Sequence, residues 1–272
     1  MIGVFDSGIG GLTLLHEIIR HLPNEQYCYY ADTKNVPYST KSEDQIKEYV
    51  ENAVNYFVQR KAKTIVLACN TATNVCIEDL RGKLTIPIIA IQPAVKVAVD
   101  NDKSVINSQR KNILVCATPI TLRSDRFQRL LDSLDADRIV ERMALPELVK
   151  LAEMEEFGKS AEDYIKETLL QIDISKFSSI VLGCTHFTYF EPIFSKLAPQ
   201  LSLFDGNEGT ARHLKNILSK LNLISLKRGT SFSIEYIESG KPTENLERFE
   251  RYNARIEQLN KTFRIRKTFI KY

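Results

Sequence analysis

Two stretches of this sequence resemble each other, and each joins an apolar run to a cysteine. Residues 64–73 read TIVLACNTAT and residues 179–188 read SIVLGCTHFT. In both, a short run rich in β-branched residues predicts a buried strand, and the polar residues that follow predict the start of a helix. Cys69 and Cys184 therefore occupy equivalent points, each where a strand meets a helix. This pairing constrains the fold and indicates a site.

Strands and helices are predicted to alternate along the chain. Ile2–Phe5, Tyr27–Ala31 and Asn112–Ala117 are runs of strand length, and helical periodicity follows the first and third of them. Such spacing indicates βα units and a parallel sheet with helices on both faces. We therefore predict an α/β fold of two pseudo-symmetric three-layer domains with mainly parallel sheets. The first comprises 1–93 plus 208–272 and the second comprises 94–207, because the chain is expected to return near residue 207.

Several individual elements are predicted from local patterns. The polar composition of Asp100–Lys111 predicts a linker, and Thr118 with the following proline predicts a helix that reaches about Leu134. A short strand is predicted over Arg138–Val140, and a helix over Glu244–Gln258. The basic end, Lys261–Tyr272, is predicted to be a solvated strand or a frayed tail rather than a nucleic-acid or membrane contact.

The composition excludes several classes of protein. With 43% hydrophobic and 26% charged residues, the 272-residue chain is typical of a soluble globular protein. Its net charge of +3 is too small to imply a nucleic-acid partner. The apolar runs are shorter than the roughly 20 residues of a membrane helix, so no membrane partner is expected. The N-terminus lacks the basic start of a signal peptide, and we predict a cytoplasmic protein.

The cysteine pattern predicts free thiols. There are five cysteines, an odd number, widely spaced and without a CxxC motif, which favours thiols over disulfides in a cytoplasmic chain. The close pairs lack zinc-ligand spacing, so no metal is expected. Cys28 and Cys116 lie inside apolar runs and are expected to be buried packing residues.

A glycine loop after the first strand invites a different interpretation. Gly8, Gly10 and Gly11 stand between a strand and a helix, as in dinucleotide-binding proteins. Thr13 occupies the place of the third glycine of that motif, however, and Asp6 would repel a pyrophosphate. Asp6 alone reads as a turn residue or helix cap, but the carboxyl end of a parallel strand is also where such sheets bind ligands.

Two cysteines at matching strand ends suit one kind of chemistry. Nucleophilic catalysis needs one nucleophile and one base, and disulfide exchange draws both thiols from one short motif. Inverting a stereocentre needs a base on one face of the carbon and an acid on the other, and two similar groups can exchange these roles. The helix N-termini are expected to lower both thiol pKa values below the usual value of about 8.5. His186 is expected to tune Cys184 or to be a core histidine.

Four blocks of the sequence carry a family resemblance. They are FDSGIGGL at 5–12, Pro37-Tyr38, ACNTA at 68–72 and LGCTHF at 182–187. Together, in this order and spacing, they resemble the glutamate racemases of the aspartate/glutamate racemase family. The resemblance implies a cofactor-independent two-base racemase that links L- and D-glutamate, with D-glutamate used for peptidoglycan. It also implies an active-site cleft between two pseudo-symmetric α/β domains.

The resemblance also implies roles for individual residues. Cys69 would be the base for D-glutamate, assisted by Asp6, and Cys184 the base for L-glutamate, assisted by His186. The other implied positions are two supporting acids, Asp32 and Glu153, and the substrate contacts Asp6, Ser7, Pro37, Tyr38, Ser39, Asn70, Thr71, Thr73, Thr118, Thr185 and His186.

Other functions remain open at this point. The chain has Ser39 where the family pattern has Gly after Tyr, and a backbone N–H there is expected to meet a substrate carboxylate. A racemase of aspartate or another acidic amino acid is therefore an alternative. A non-catalytic protein that binds acidic ligands is a second one. The substrate is in each case a small molecule, and a homodimer is a further hypothesis.

Overall fold

The computed structural model describes residues 1–103, 112–134, 138–225 and 232–267, and within them the chain forms two sheets. The strands of the first sheet are, in spatial order, β10 (Lys241–Pro242), β9 (Ser233–Glu238), β2 (Gln26–Ala31), β1 (Ile2–Asp6), β3 (Thr64–Leu67) and β4 (Ile88–Ala90). Those of the second are β6 (Val140–Ala144), β5 (Asn112–Ala117), β7 (Phe177–Leu182) and β8 (Ser202–Asp205). Apart from the antiparallel β9–β10 pair, neighbouring strands run parallel.

Helices connect these strands, as parallel pairing requires. They are α1 (Leu12–His21), α2 (Glu43–Gln59), α3 (Asn70–Lys83), α4 (Val95–Lys103), α5 (Pro119–Arg123), α6 (Asp125–Ser133), α7 (Glu147–Glu153), α8 (Lys159–Leu169), α9 (Glu191–Leu197), α10 (Asn207–Lys220) and α11 (Leu246–Lys267). Short 3₁₀ helices occupy Tyr38–Thr40, Ile174–Lys176 and Thr185–Phe190. None of the described helices combines the length and the apolarity needed to cross a bilayer.

The two sheets share one topology. The order β2-β1-β3-β4 in the first is repeated as β6-β5-β7-β8 in the second. Strand β3, which precedes Cys69, therefore corresponds to β7, which precedes Cys184. The predicted α/β class with mainly parallel sheets is confirmed. The strands are buried along almost their whole length in β1, β3 and β5, which explains why they read as continuous apolar runs.

The chain returns to the first sheet after β8. Strand β9 pairs with β2, with Tyr29 opposite Tyr236, and α10 packs against α1. This return supports the division into 1–93 plus 208–272 and 94–207, whose boundaries remain our prediction. One large hydrophobic cluster contains side chains of both sheets, among them Val4 and Leu114, with Phe187 and Phe249. It brings the two loops at the carboxyl ends of β1 and β7 together.

Some predicted elements differ in the structure. Helix α4 extends to Lys103, into the predicted linker, because Val95, Ala98 and Val99 bury an apolar face; residues 104–111 lie outside the described residues. The helix predicted from Thr118 to Leu134 is broken at Ser124, which ends α5 and caps α6 by accepting from the Phe127 N–H at 3.2 Å.

Two further predictions need correction. The strand expected at Arg138–Val140 is β6, which begins at Val140 and is polar because it is an edge strand exposed over much of its length. The basic end is helical as far as Lys267, where a strand or a frayed tail was expected, and residues 268–272 lie outside the described residues. The thiols are free as predicted, and Cys28 and Cys116 are fully buried.

Candidate active site

Asp6 lies at the carboxyl end of β1 and joins the two halves of the molecule. Its Oδ1 accepts from the Gly8 N–H at 3.0 Å, and its Oδ2 accepts from the Thr185 hydroxyl at 3.1 Å. The side chain is completely buried, and this burial raises its pKa from 3.8 to about 6, against the lowering effects of His186 and the Gly8 N–H. Of the two expected local roles the turn is observed, since α1 begins after Gly11 without a side-chain cap, and the same carboxylate also bonds directly across to the loop after β7.

Cys69 follows β3 and caps α3. Its sulfur accepts from the Ala72 N–H at 3.5 Å and lies 3.5 Å from the Ser7 hydroxyl. Burial, with the charge on Asp6 as a second cause, raises the pKa of this thiol to about 12. The expectation that the helix N-terminus would lower this pKa is wrong, because desolvation outweighs the helix dipole at a side chain that is 5% exposed.

Cys184 follows β7 and has an imidazole neighbour. Its sulfur lies 3.9 Å from His186 Nδ1, and His186 Nε2 lies 2.7 Å from Glu153 Oε1. The same oxygen accepts from the Ile9 N–H at 2.9 Å. Burial opposes a charged imidazole, yet the hydrogen bonds to Cys184 and Glu153 raise the His186 pKa well above 6.5. Burial likewise opposes the Glu153 carboxylate, yet its bond to His186 helps to lower that pKa. The geometry favours an imidazolium–carboxylate pair.

The glycine loop serves this carboxylate rather than a phosphate. A Cβ at Gly8 would lie 1.8 Å from Glu153 Oε1, and a Cβ at Gly10 would lie 2.5 Å from His186 Nδ1. The glycines are needed because the loop after β1 touches the functional groups carried by the other half. The Ile9 N–H that could bind a pyrophosphate already binds Glu153. The dinucleotide interpretation loses its main support.

The two thiols share one buried neighbourhood. Ser7 contacts Cys69 and is the chain neighbour of Asp6, while Asp6 bonds to Thr185, the chain neighbour of Cys184. The charge on Cys184 also contributes to the raised Cys69 pKa. Both sulfur-bearing side chains are less than 10% exposed. Two thiols at equivalent strand ends are thus linked by a short chain of polar groups.

Further predicted substrate contacts line the same region. Thr71, on α3, and Thr118, before α5, have hydroxyls 2.9 Å apart, which joins the two halves a second time. The Asn70 side-chain oxygen is buried and has no hydrogen-bond partner among the described residues. A buried acceptor without a partner is unfavourable unless a bound ligand donates a hydrogen bond to it. Thr73 instead bonds to the Leu67 carbonyl at 3.5 Å and supports the strand–helix turn.

The predicted residues around Asp32 form a separate supporting group. Tyr38 donates to Asp32 Oδ2 at 2.7 Å and is buried, with its pKa raised by burial first and also by charge on Asp32 and Cys69. Pro37 precedes Tyr38 on the same turn. Ser39 is half-buried there, and within the described part of the chain its hydroxyl bonds to no other candidate residue. Tyr38 belongs to the same buried cluster as Cys69, so Asp32 supports that side of the site through Tyr38, and in the described part of the chain it has no hydrogen bond to either thiol.

One group with metal-ligand chemistry lies elsewhere in the described ranges. Glu17 and His21 of α1 and Glu208 of α10 place ligand atoms within 4.8 Å of one another. Arg20 pairs with Glu17, and Arg212 pairs with Glu208. These guanidinium groups already neutralise the carboxylates, so the group is an ion-pair network between two helices.

Sequence reasoning missed Arg248. Its guanidinium donates to Glu153 Oε2 at 2.6 Å and to the Glu153 carbonyl at 3.1 Å. The only available signal was the spacing of Arg248, Arg251 and Arg255 along a predicted helix. That spacing marks a basic face, and tertiary packing alone selects the acid that it meets.

Asp6 gives a prediction for stability. A carboxyl group whose pKa is raised on folding favours the folded state while it is protonated, and this advantage is lost as the pH rises from 3.8 to about 6. Asp6→Asn should therefore raise the free energy of unfolding by about 3 kcal/mol at pH 8, and the gain should vanish near pH 4. Urea denaturation across this range measures it. An equal change at both pH values would contradict the assignment.

The fold is an α/β fold with one thiol at the same strand end of each half. A family model for Asp/Glu/hydantoin racemases matches residues 2–214. The chain belongs to the Asp/Glu/hydantoin racemase family.

Individual relatives cover nearly the whole chain. It is 43% identical to the glutamate racemase of Campylobacter curvus over 263 residues, which is 95% of this chain and 98% of that protein. It is 41% identical to glutamate racemase 2 of Bacillus subtilis, covering 97% of each chain.

Solved structures have the same fold. Escherichia coli glutamate racemase, in complex with L-glutamate and the activator UDP-MurNAc-ala, is 28% identical with a TM-score of 0.77 over 94% of both chains. The Francisella tularensis enzyme in complex with D-glutamate is 25% identical with a TM-score of 0.73, covering 86% of this chain and 87% of that one.

Proposed function

We propose that this chain is a glutamate racemase that interconverts L- and D-glutamate without a cofactor by proton transfer at two cysteines. The observation that carries the proposal is the pair of thiols at equivalent strand ends, joined through Ser7, Asp6 and Thr185. A reaction that inverts one carbon needs two proton-transfer groups on opposite faces. The relatives with this name share about two fifths of the sequence over almost its whole length.

The reaction starts, for L-glutamate, with Cys184 as thiolate. The sulfur takes the α-proton: the Cα–H bond breaks, an S–H bond forms, and the electron pair stays on Cα, stabilised by the neighbouring carboxylate. The Cys69 thiol then gives its proton to the other face of Cα and becomes a thiolate. D-glutamate leaves, and the reverse reaction begins from this second protonation state.

The environments of the two thiols suit these starting roles. Burial and Asp6 hold Cys69 in its thiol form, ready to act as the acid. His186, whose pKa is raised, places a positive imidazole 3.9 Å from the Cys184 sulfur and attracts negative charge there. The asymmetry between a carboxylate beside Cys69 and an imidazolium beside Cys184 sets the resting state of the enzyme.

Polar groups around the thiols match an acidic amino acid. The unpartnered Asn70 oxygen can accept from an α-ammonium group, and the hydroxyls of Thr71, Thr118 and Thr185 can donate to carboxylates. We propose Pro37, Tyr38 and Ser39 as further substrate contacts.

We further propose that the protein works in the cytoplasm, where its thiols stay reduced, and supplies D-glutamate for peptidoglycan synthesis.

The decisive experiment is solvent deuterium exchange. We expect the protein in D₂O to incorporate deuterium at Cα of L- and D-glutamate during turnover, with circular dichroism reporting loss of optical activity. Mass spectrometry and proton NMR measure the exchange. The Cys69→Ser/Cys184→Ser double variant is the control for spontaneous exchange.

Other outcomes select the alternatives. Faster exchange of aspartate than of glutamate would favour an aspartate racemase and would point to Ser39, which a Ser39→Gly variant would test. Tight glutamate binding without exchange would instead support a non-catalytic binding protein. Either result would overturn the proposed activity.

A further inference from the structure

Helix α11 holds the segment that carries Glu153. Its Tyr252 hydroxyl donates to the Ala152 carbonyl at 2.6 Å, and its Arg251 pairs with Glu155 at 2.5 Å. One turn earlier in the helix, Arg248 donates to the Glu153 carboxylate and to the Glu153 carbonyl. Helix α11 is thus anchored to the end of α7 at three points, and one of them is an ionised side chain of the candidate active site.

Arg248 differs from the other two anchors in what it touches. The Tyr252 hydroxyl donates to a backbone carbonyl, and Arg251 binds Glu155, a partly exposed acid with no described contact to the thiols. Arg248 binds Oε2 of Glu153, while Oε1 of the same carboxylate accepts from both His186 and Ile9. Among the described residues, Arg248 is the hydrogen-bond partner of Oε2, so without it only Oε1 would be held.

We propose that Arg248 is a positioning residue for proton transfer at Cys184: it fixes the Glu153 carboxylate so that this group holds His186 against the sulfur. The chain of contacts runs from Arg248 Nη2 to Glu153 Oε2 at 2.6 Å, from Oε1 to His186 Nε2 at 2.7 Å, and from Nδ1 to Cys184 Sγ at 3.9 Å. The inference rests on the proposed racemase function for its kinetic consequence, while its structural part can be tested without turnover.

The charged groups around this chain of contacts restrict the alternatives. Arg248 also faces Glu238 at 3.8 Å and the Tyr252 ring, and His186 faces Asp6 as well as Glu153. If Arg248 acted only as a nearby positive charge, its removal would raise the His186 pKa by reducing repulsion. If it positions Glu153, its removal should lower the His186 pKa, because the bond that stabilises the imidazolium is weakened. The two roles predict opposite signs.

The experiment compares Arg248→Met with Arg251→Met in the full chain. Each removes one arginine from α11 that anchors the end of α7, but only the first loses the contact to the Glu153 carboxylate. NMR titration of ¹³C-labelled histidine, with His186 assigned by a His186→Gln variant, measures the imidazole pKa. We expect a lower His186 pKa in Arg248→Met and an unchanged one in Arg251→Met. A raised or unchanged value in Arg248→Met would overturn the proposal.

Kinetics provide the second measurement. We expect kcat of Arg248→Met to fall about tenfold or more, the order of effect of a hydrogen bond to a charged group, with KM changed much less. Arg251→Met should stay within about twofold of the wild type. An equal loss in both variants would show that anchoring α11 is the whole effect and would also overturn the proposal.

Arg248→Lys keeps the test decisive if Arg248→Met does not fold. Lysine retains the charge but cannot present the planar two-donor geometry of arginine. In Arg248→Lys, both the His186 pKa and kcat should therefore fall below the wild-type values. Wild-type values for Arg248→Lys would contradict the positioning role. If the wild type itself does not racemise glutamate, the proposed function fails, while the NMR comparison still decides whether Arg248 positions His186.

Discussion

Cys69→Ser and Cys184→Ser should each lower steady racemisation of glutamate by about a thousandfold or more. Serine keeps the size of the side chain, but its hydroxyl is a far weaker acid than a thiol and cannot supply or accept the proton at neutral pH. General acid–base groups contribute factors of about 10²–10⁴. Each variant lacks the group on one face of the substrate carbon, so neither direction of the full reaction can be completed at the normal rate.

The control for this pair is Cys76→Ser. Cys76 lies on α3 and is as deeply buried as Cys69. In the described part of the chain, no hydrogen bond joins its thiol to a residue of the site. It should keep wild-type kcat even if its melting temperature falls. Initial rates by circular dichroism, with thermal unfolding to confirm the fold, give the comparison. Full turnover by either Cys69→Ser or Cys184→Ser would refute the assignment of two proton-transfer groups.

Gly8→Ala should lower kcat by about a hundredfold or more. The added methyl group would stand 1.8 Å from Glu153 Oε1, which is far inside the contact distance of non-bonded atoms. Either the loop after β1 or the Glu153 carboxylate must shift. The Gly8 N–H in this loop bonds to Asp6, and the Glu153 carboxylate bonds to His186, so either shift displaces a group of the site. A displacement of about 1 Å in a catalytic group can cost two orders of magnitude in rate.

Gly209→Ala is the matched control. Gly209 is exposed near the start of α10, and a Cβ there would meet no atom within 4 Å. It should leave kcat unchanged and stabilise the helix by about 0.5–1 kcal/mol. Initial rates and urea denaturation of both variants test this. Wild-type kcat in Gly8→Ala would show that the close approach of Gly8 to Glu153 is not required for activity.

Much of the fold followed from local patterns. The run of β-branched residues before Cys69 indicated β3, and the equivalent run before Cys184 indicated β7. These predictions succeeded because a strand buried on both faces must be apolar throughout. Predictions failed where burial was partial: β6 is an edge strand, and the polar end of α4, residues 100–103, was predicted to belong to a linker.

The sequence by itself determined the α/β class, the positions of the two thiols at the ends of β3 and β7, and the turn at Asp6, because each depends on residues close together in the chain. Only the tertiary structure decided that burial raises the Cys69 pKa, and that Arg248 meets Glu153 across 95 residues. Desolvation and long-range ion pairs depend on which surfaces face each other after folding, and no local pattern records that.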